Sequence, residues 1–141
     1  MVLVLAGCAP AVNPNDPQGS ANNTGVSAAF AAWDAVWQTD DCAKFQTLVR
    51  DFVASDRMGI ASCDDYSAAV DSGQYVITSR EVTRFDLGNV TESTVYPDDV
   101  GKELAAVEVT EHYADGRELD LEYRLVRDGS GWIFVDLRDF S

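Results

Sequence analysis

The chain is short of cations and shorter still of histidine and cysteine. Ten Lys or Arg stand against 24 Asp or Glu in 141 residues, a formal net charge of −14. Such a polyanion repels phosphate backbones, which argues against direct nucleic-acid binding. It equally argues against lying on an anionic membrane through a basic face. No apolar run approaches the roughly 18 residues of a spanning helix. One His and three Cys leave little for a zinc site, and no metal or other cofactor is expected. The sequence has no Gly-x-Gly-x-x-Gly, no phosphate-cradling Gly-Lys-Ser/Thr loop and no Gly-x-Ser-x-Gly elbow. What it does have is 46% apolar residues, enough for one domain with a real core.

The amino-terminal segment reads as an address. Residues 1–7 look like the end of a secretory signal peptide, and Leu5-Ala6-Gly7-Cys8 resembles a bacterial lipobox. Small residues at 6 and 7 let an extended chain enter a peptidase, and the Cys8 thiol would accept a diacylglyceryl group. Each buried methylene of the acyl chains adds about 0.8 kcal/mol, so two or three chains hold a protein firmly to a bilayer. The apolar stretch spans only about six residues and no Lys or Arg precedes it, so translation is expected to start upstream of Met1. Residues 8–25, rich in Asn, Pro, Ser and Gly, are expected to be a flexible tether, and 26–141 a single α+β domain. The expected location is the extracytoplasmic face of a bacterial cell membrane. With Cys8 acylated, Cys42 and Cys63 remain, and outside the cytoplasm such a pair reads as a disulfide.

In the folded part the period is helical first. Ser27 can cap a helix to about Gln38, whose Phe30, Trp33 and Trp37 share a face with Ala29 and Val36. Thr39-Asp40-Asp41 breaks it, and either aspartate can cap a second helix, about Cys42–Ala54, striped by Phe45, Leu48, Val49, Phe52 and Val53. Ser62 starts a third helix with Tyr66, Ala69 and Val70 inward, ending at Gly73. From Gln74 the period becomes two: a long strand at 75–86, a polar loop at 87–101, a hairpin of 102–113 with 117–127, and a last strand at 132–138.

The hairpin register follows from parity. Ala105, Val107, Val109 and Tyr113 must share a face with Leu119, Leu121, Tyr123 and Leu125, so paired residue numbers must sum to an even number. A two-residue turn at Asp115-Gly116 gives an odd sum; a three-residue loop, Ala114-Asp115-Gly116 with Gly116 left-handed, gives an even one. The opposite face then carries Glu108, Thr110, His112, Glu118, Asp120, Glu122 and Arg124 and is expected to be solvated. Stacking two such faces would desolvate like charges, so a monomer is expected.

The order of amphipathic helices followed by a curved antiparallel sheet of about four strands resembles the nuclear-transport-factor-2-like superfamily, a cone-like, cystatin-like fold. Phe30-Ala31-Ala32-Trp33, Asp40-Asp41, Glu108–Tyr113, Asp115-Gly116, Leu125-Val126-Arg127-Asp128 and Gly131-Trp132-Ile133 carry the resemblance, which is close to small bacterial lipoproteins of that type. Members include isomerases, dehydratases, polyketide cyclases and domains without chemistry, so the fold alone implies no activity. The resemblance implies that any chemistry would sit inside the cone, often with a carboxylate as general base. An interior carboxyl is desolvated, which raises its pKa toward useful values. Glu111, in parity with Val109 and Tyr113, and Glu81, in parity with Tyr75 and Ile77, are the candidates; the competing reading has Glu111 reaching water near a strand end and Glu81 exposed. The pairs Asp40-Asp41, Asp64-Asp65 and Asp98-Asp99 lack the alternating spacing of a calcium loop.

Phe30, Trp33, Trp37, Val109 and Tyr123 would either line an apolar pocket between the first helix and the sheet or fill the core there. These groups bring almost no charge, so the expected ligand is apolar or aromatic, and an anion would lack a counter-ion. Taken together, the residues favour a membrane-anchored lipoprotein with a non-enzymatic domain that binds an apolar small molecule or another envelope protein. The alternative is a small isomerase- or dehydratase-like enzyme using an interior carboxylate. No catalytic residue is assigned. Cys8→Ala in the full-length precursor is expected to abolish incorporation of a labelled fatty acid and to release the protein from the membrane fraction; retained label would refute the lipobox.

Overall fold

The computed structural model describes residues 24–129 and 131–141. Cys8, the signal end and most of the tether lie outside the described residues. Three α-helices, α1 (Thr24–Val36), α2 (Cys42–Leu48) and α3 (Cys63–Ser72), pack on a sheet of β1 (Ile77–Asn89), β2 (Glu103–Tyr113), β3 (Glu118–Asp128) and β4 (Gly131–Asp139). All neighbours are antiparallel in the order β1-β2-β3-β4, so the domain is an α+β meander with its helices on one face.

Helix α1 begins within the stretch assigned to the tether, and Ser27 lies inside it rather than at its cap. Packing explains the extension. Val26 is buried, and a Cβ on Gly25 would fall 2.6 Å from Cδ1 of Trp132, so this turn packs against β4 at a position where a side chain would displace the indole. After Val36 the chain reverses through Asp40, whose φ of 51° an aspartate tolerates. The Asp41 carboxylate then accepts from Lys44 N (3.1 Å) to cap α2, and Ser62 accepts from Asp65 N (3.2 Å) to cap α3, which ends at left-handed Gly73. Tyr66 on α3 donates to the Val36 carbonyl and accepts from Asp41 N (3.1 Å), joining the end of α1 to the start of α2.

The second helix is shorter than its apolar stripe predicts. It stops at Leu48 because Val49 is extended (φ −135°, ψ 139°) and bridges in parallel to Phe134 of β4, with Arg50 N donating to Phe134 O at 2.9 Å. A tertiary strand contact overrides local propensity here. The chain recoils as a π-helical turn, Phe52–Arg57, that keeps Val53 and Ala54 inside. Arg50 forms a two-pronged pair with the buried Asp99 (3.1 Å each), Lys102 reaches the same carboxylate at 3.0 Å, and Tyr96 accepts from Phe52 N (3.1 Å). The long 90–101 loop is thereby latched to the π turn.

The hairpin has the register that parity demands: Val107 faces Tyr123 and Leu104 faces Val126, with Gly116 at φ 94° closing a three-residue loop. The apolar set of each strand faces the helices and is buried, Leu119 partly so. Two details of the outer face differ from the sequence reading. Glu122 is only 8% exposed, shielded between its cross-strand neighbours Glu108 and Arg138 and bound to Arg124 Nε at 3.0 Å. Val126, also on that face, is buried outside the main core. Strand β1 shifts register twice, at Thr78 and Thr83, and β4 once, at Val135. Each bulge bends its strand and adds to the curvature of the sheet.

Cys42 and Cys63 form a disulfide across 21 positions, tying the first residue of α2 to the first of α3. On the chain-entropy model the link stabilises by about 3 kcal/mol. Cys42→Ser with Cys63→Ser is expected to lower the urea midpoint accordingly, and reduced wild type should match the double variant; an unchanged midpoint would show that the link constrains nothing.

Candidate functional site

The space between α1 and the sheet is filled. Phe30 meets Tyr123 and Phe134 edge-on at 5.1 and 5.2 Å, Trp33 lies 4.8 Å from Phe134, and Trp37 lies 4.4 Å from Tyr75. Of the five residues named as pocket lining, Phe30, Trp37 and Val109 are therefore closed core, while Trp33 and Tyr123 reach the wall of a cleft with one edge. Aromatic rings arranged at these distances contribute roughly 0.5–1.5 kcal/mol a pair beyond their area.

Behind that wall lies a buried ion network that the sequence reading saw only in part. Glu111 is 0% exposed. Its Oε2 accepts from Arg80 Nε at 2.6 Å, its Oε1 from Tyr113 Oη at 2.6 Å, and Tyr123 Oη donates across both oxygens at 2.8 and 3.1 Å. Arg80, its side chain 13% exposed, spends its other two nitrogens on Asp34 of α1 (3.0 and 2.8 Å) and lies 4.6 Å over the Phe30 ring. Burial works against the Arg80 charge, but the Asp34 hydrogen bonds and the Glu111 carboxylate outweigh it and hold its pKa above the usual value. Burial, then the Glu111 charge, push Tyr113 and Tyr123 well up, so both stay neutral donors.

Parity placed Glu81 inside and had nothing to say of Arg80; the structure exchanges them. The bulge at Thr78 flips the strand, so Arg80 and Val82 turn inward while Glu81 is exposed, and the bulge at Thr83 restores the odd phase for Phe85. A signal for this was present. Ile77, Val82 and Phe85 cannot share a face in any strict two-residue alternation, which requires two interruptions between them.

An open cleft of about 580 Å³ lies at the hairpin end of the concave face. Trp33, Tyr75, Ile77, Tyr113, Leu119, Leu121, Tyr123, Leu137 and Met58 form its wall, with Arg57, Arg117, Arg138, Asp56 and Asp139 also lining it. Its size falls within the range of small-molecule sites. The expectation of an almost uncharged site is thus corrected, because the hairpin loop, the end of the π turn and the end of β4 all bring arginines to it. Glu111 does not line the cleft; Tyr113 and Tyr123 stand between. His112 is exposed on the outer face, 3.6 Å from Glu118. Among the described residues no group of three His, Cys, Asp or Glu could hold a metal ion.

No family model, curated protein or solved structure matches this chain.

The tyrosines give the network an alkaline limit. Their folded pKa values lie above the ordinary 10.0, so the stability they contribute is fully present below pH 10 and is lost as pH rises beyond it. Each contributes a slope of about 1.4 kcal/mol per pH unit there. Urea midpoints are expected to be level through pH 9 and to fall steeply above 10, with a shallower fall in Tyr113→Phe; an equal slope in that variant would place the titration elsewhere.

Proposed function

We propose that this is a lipid-anchored, extracytoplasmic domain that binds a ligand in the concave cleft without transforming it. One observation carries the reading: the interior carboxylate a catalyst would need has its acceptor positions taken by Arg80, Tyr113 and Tyr123, and it does not reach the cleft. A general base must present a lone pair within about 3 Å of the proton it takes. Glu111 presents none to the cleft, and Glu81, the other candidate, lies exposed on the opposite face. This favours binding over the isomerase- or dehydratase-like alternative.

The anchor at Cys8 remains part of the proposal, supported by the lipobox sequence and by the Cys42–Cys63 disulfide, a bond typical of oxidising compartments. Kinship with the nuclear-transport-factor-2-like superfamily is likewise proposed, supported by helices followed by a curved four-stranded meander. A monomer is proposed because Glu108, Glu118 and Asp120 keep the outer sheet face acidic.

The wall of the cleft supplies apolar contact, so an uncharged amphiphile tests it directly. A ligand at a hundred times its Kd stabilises the native state by about 2.7 kcal/mol. Octanol below its solubility limit is expected to raise Tm, and Leu119→Trp, which fills the cleft, to blunt the rise without lowering the starting Tm. No rise in the wild type would overturn the binding reading.

A further inference from the structure

The mouth of the cleft concentrates the charge that the chain has least of. Three of its ten Lys or Arg line this depression, in a protein of net charge −14, and two of them, Arg57 and Arg138, stand on the β4 rim that it shares with a neighbouring depression lined by Asp136. Two of the three are held side by side. Arg57 Nε bonds Asp136 Oδ1 at 2.9 Å and Arg138 Nε bonds Oδ2 of the same carboxylate at 3.3 Å, so a single negative charge answers two guanidinium groups. Oδ1 also accepts from Leu137 N at 2.8 Å, which fixes the orientation of Asp136. Both arginines are tied through Nε, Arg57 also lying 4.9 Å over the Phe52 ring, and their Nη groups have no hydrogen-bond acceptor among the described residues. Both side chains are half-exposed. Across the cleft Arg117 is committed otherwise: it lies 4.6 Å over the Tyr113 ring, bonds Asp115 through Nε at 2.8 Å and donates to the Gln74 carbonyl. Asp56 and Asp139 are the acidic residues of the lining.

Two adjacent guanidinium groups with free Nη forks match the geometry of a carboxylate, which they bind in parallel hydrogen bonds. The wall beside them is aromatic and aliphatic. We infer that the cleft takes an amphipathic carboxylate, its apolar body against Tyr75, Leu119 and Leu121 and its head group on Arg57 and Arg138. The inference rests on the cleft being a binding site and adds the class of its ligand. It opposes what the overall charge dictates, since a −14 protein attracts cations at long range.

That opposition supplies the test. Octanoate, octanol and octylammonium share a chain and differ only in head group, and titration calorimetry of each at monomeric concentration compares them on the wild-type protein. Octanoate is expected to bind roughly tenfold more tightly than octanol, the scale of one charge-assisted contact, with octylammonium weakest and added salt reducing only the octanoate preference. In Arg57→Gln with Arg138→Gln, octanoate should fall to the affinity of octanol while octanol is unchanged. Octanoate binding no better than octanol, or octylammonium binding best, would overturn the head-group assignment while leaving the cleft a site. A preference for octanoate that survives the double substitution would also overturn it. Failure of all three to bind would remove the cleft reading beneath it.

Discussion

A carboxylate sealed from water must have its charge answered inside the protein, and Glu111 has it answered from three strands. Arg80 comes from β1, Tyr113 from β2 itself and Tyr123 from β3. Asp34 then carries the network into α1. Buried ion pairs are often no more stabilising than a well-packed apolar group, but breaking one by removing a partner costs about 3–5 kcal/mol. The network therefore acts chiefly on specificity. Were β1 to slip by one residue against β2, Arg80 would turn outward and leave Glu111 buried without a counter-charge, alongside every apolar residue of the strand turned the wrong way. The two bulges in β1 turn Arg80 inward in phase with Val82, and α1 brings Asp34 to it, so Arg80 lies between two acids.

The parts of the fold legible in the sequence were those set by local chemistry. Asp41 and Ser62 cap helices because their side chains reach free amides nearby, and Gly73 and Gly116 stop a helix and close a loop because their backbones turn left-handed. The β2–β3 register was legible because two apolar sets of one parity had to meet. The break of α2 at Val49 was not, since it answers to Phe134, far away in the chain. The exchange of Glu81 for Arg80 had the same origin in part: the apolar positions announced interrupted alternation, but only the pairing with β2 says which residues are the bulges.

The cleft shows a further limit of reading along a chain. Its arginines come from the π turn, the β2–β3 loop and β4, and none is near another two in sequence except through the fold. Composition described a uniformly acidic protein, whereas the structure separates its charges. Glu108, Glu118 and Asp120 lie on the convex face, whereas Arg57, Arg117 and Arg138 come together at the rim of the cleft, Arg138 reaching it from the convex face of β4. Net charge governs solubility and long-range approach, but what a ligand meets is the local arrangement.

The edges of the sheet have a consequence for a chain held among copies of itself. A long, flat, unpaired strand invites another chain to add to it by hydrogen bonding, the first step toward cross-β aggregation. Here β1 is an edge of thirteen residues, but it is interrupted at Thr78 and Thr83 and carries Arg80, Glu81, Arg84 and Asp86 between them and just beyond. On the other side, Val49 and Arg50 already pair with β4 at Phe134 and occupy the middle of that edge. Neither border among the described residues presents a straight template, so crowding many such domains at one surface adds little risk of templated polymerisation.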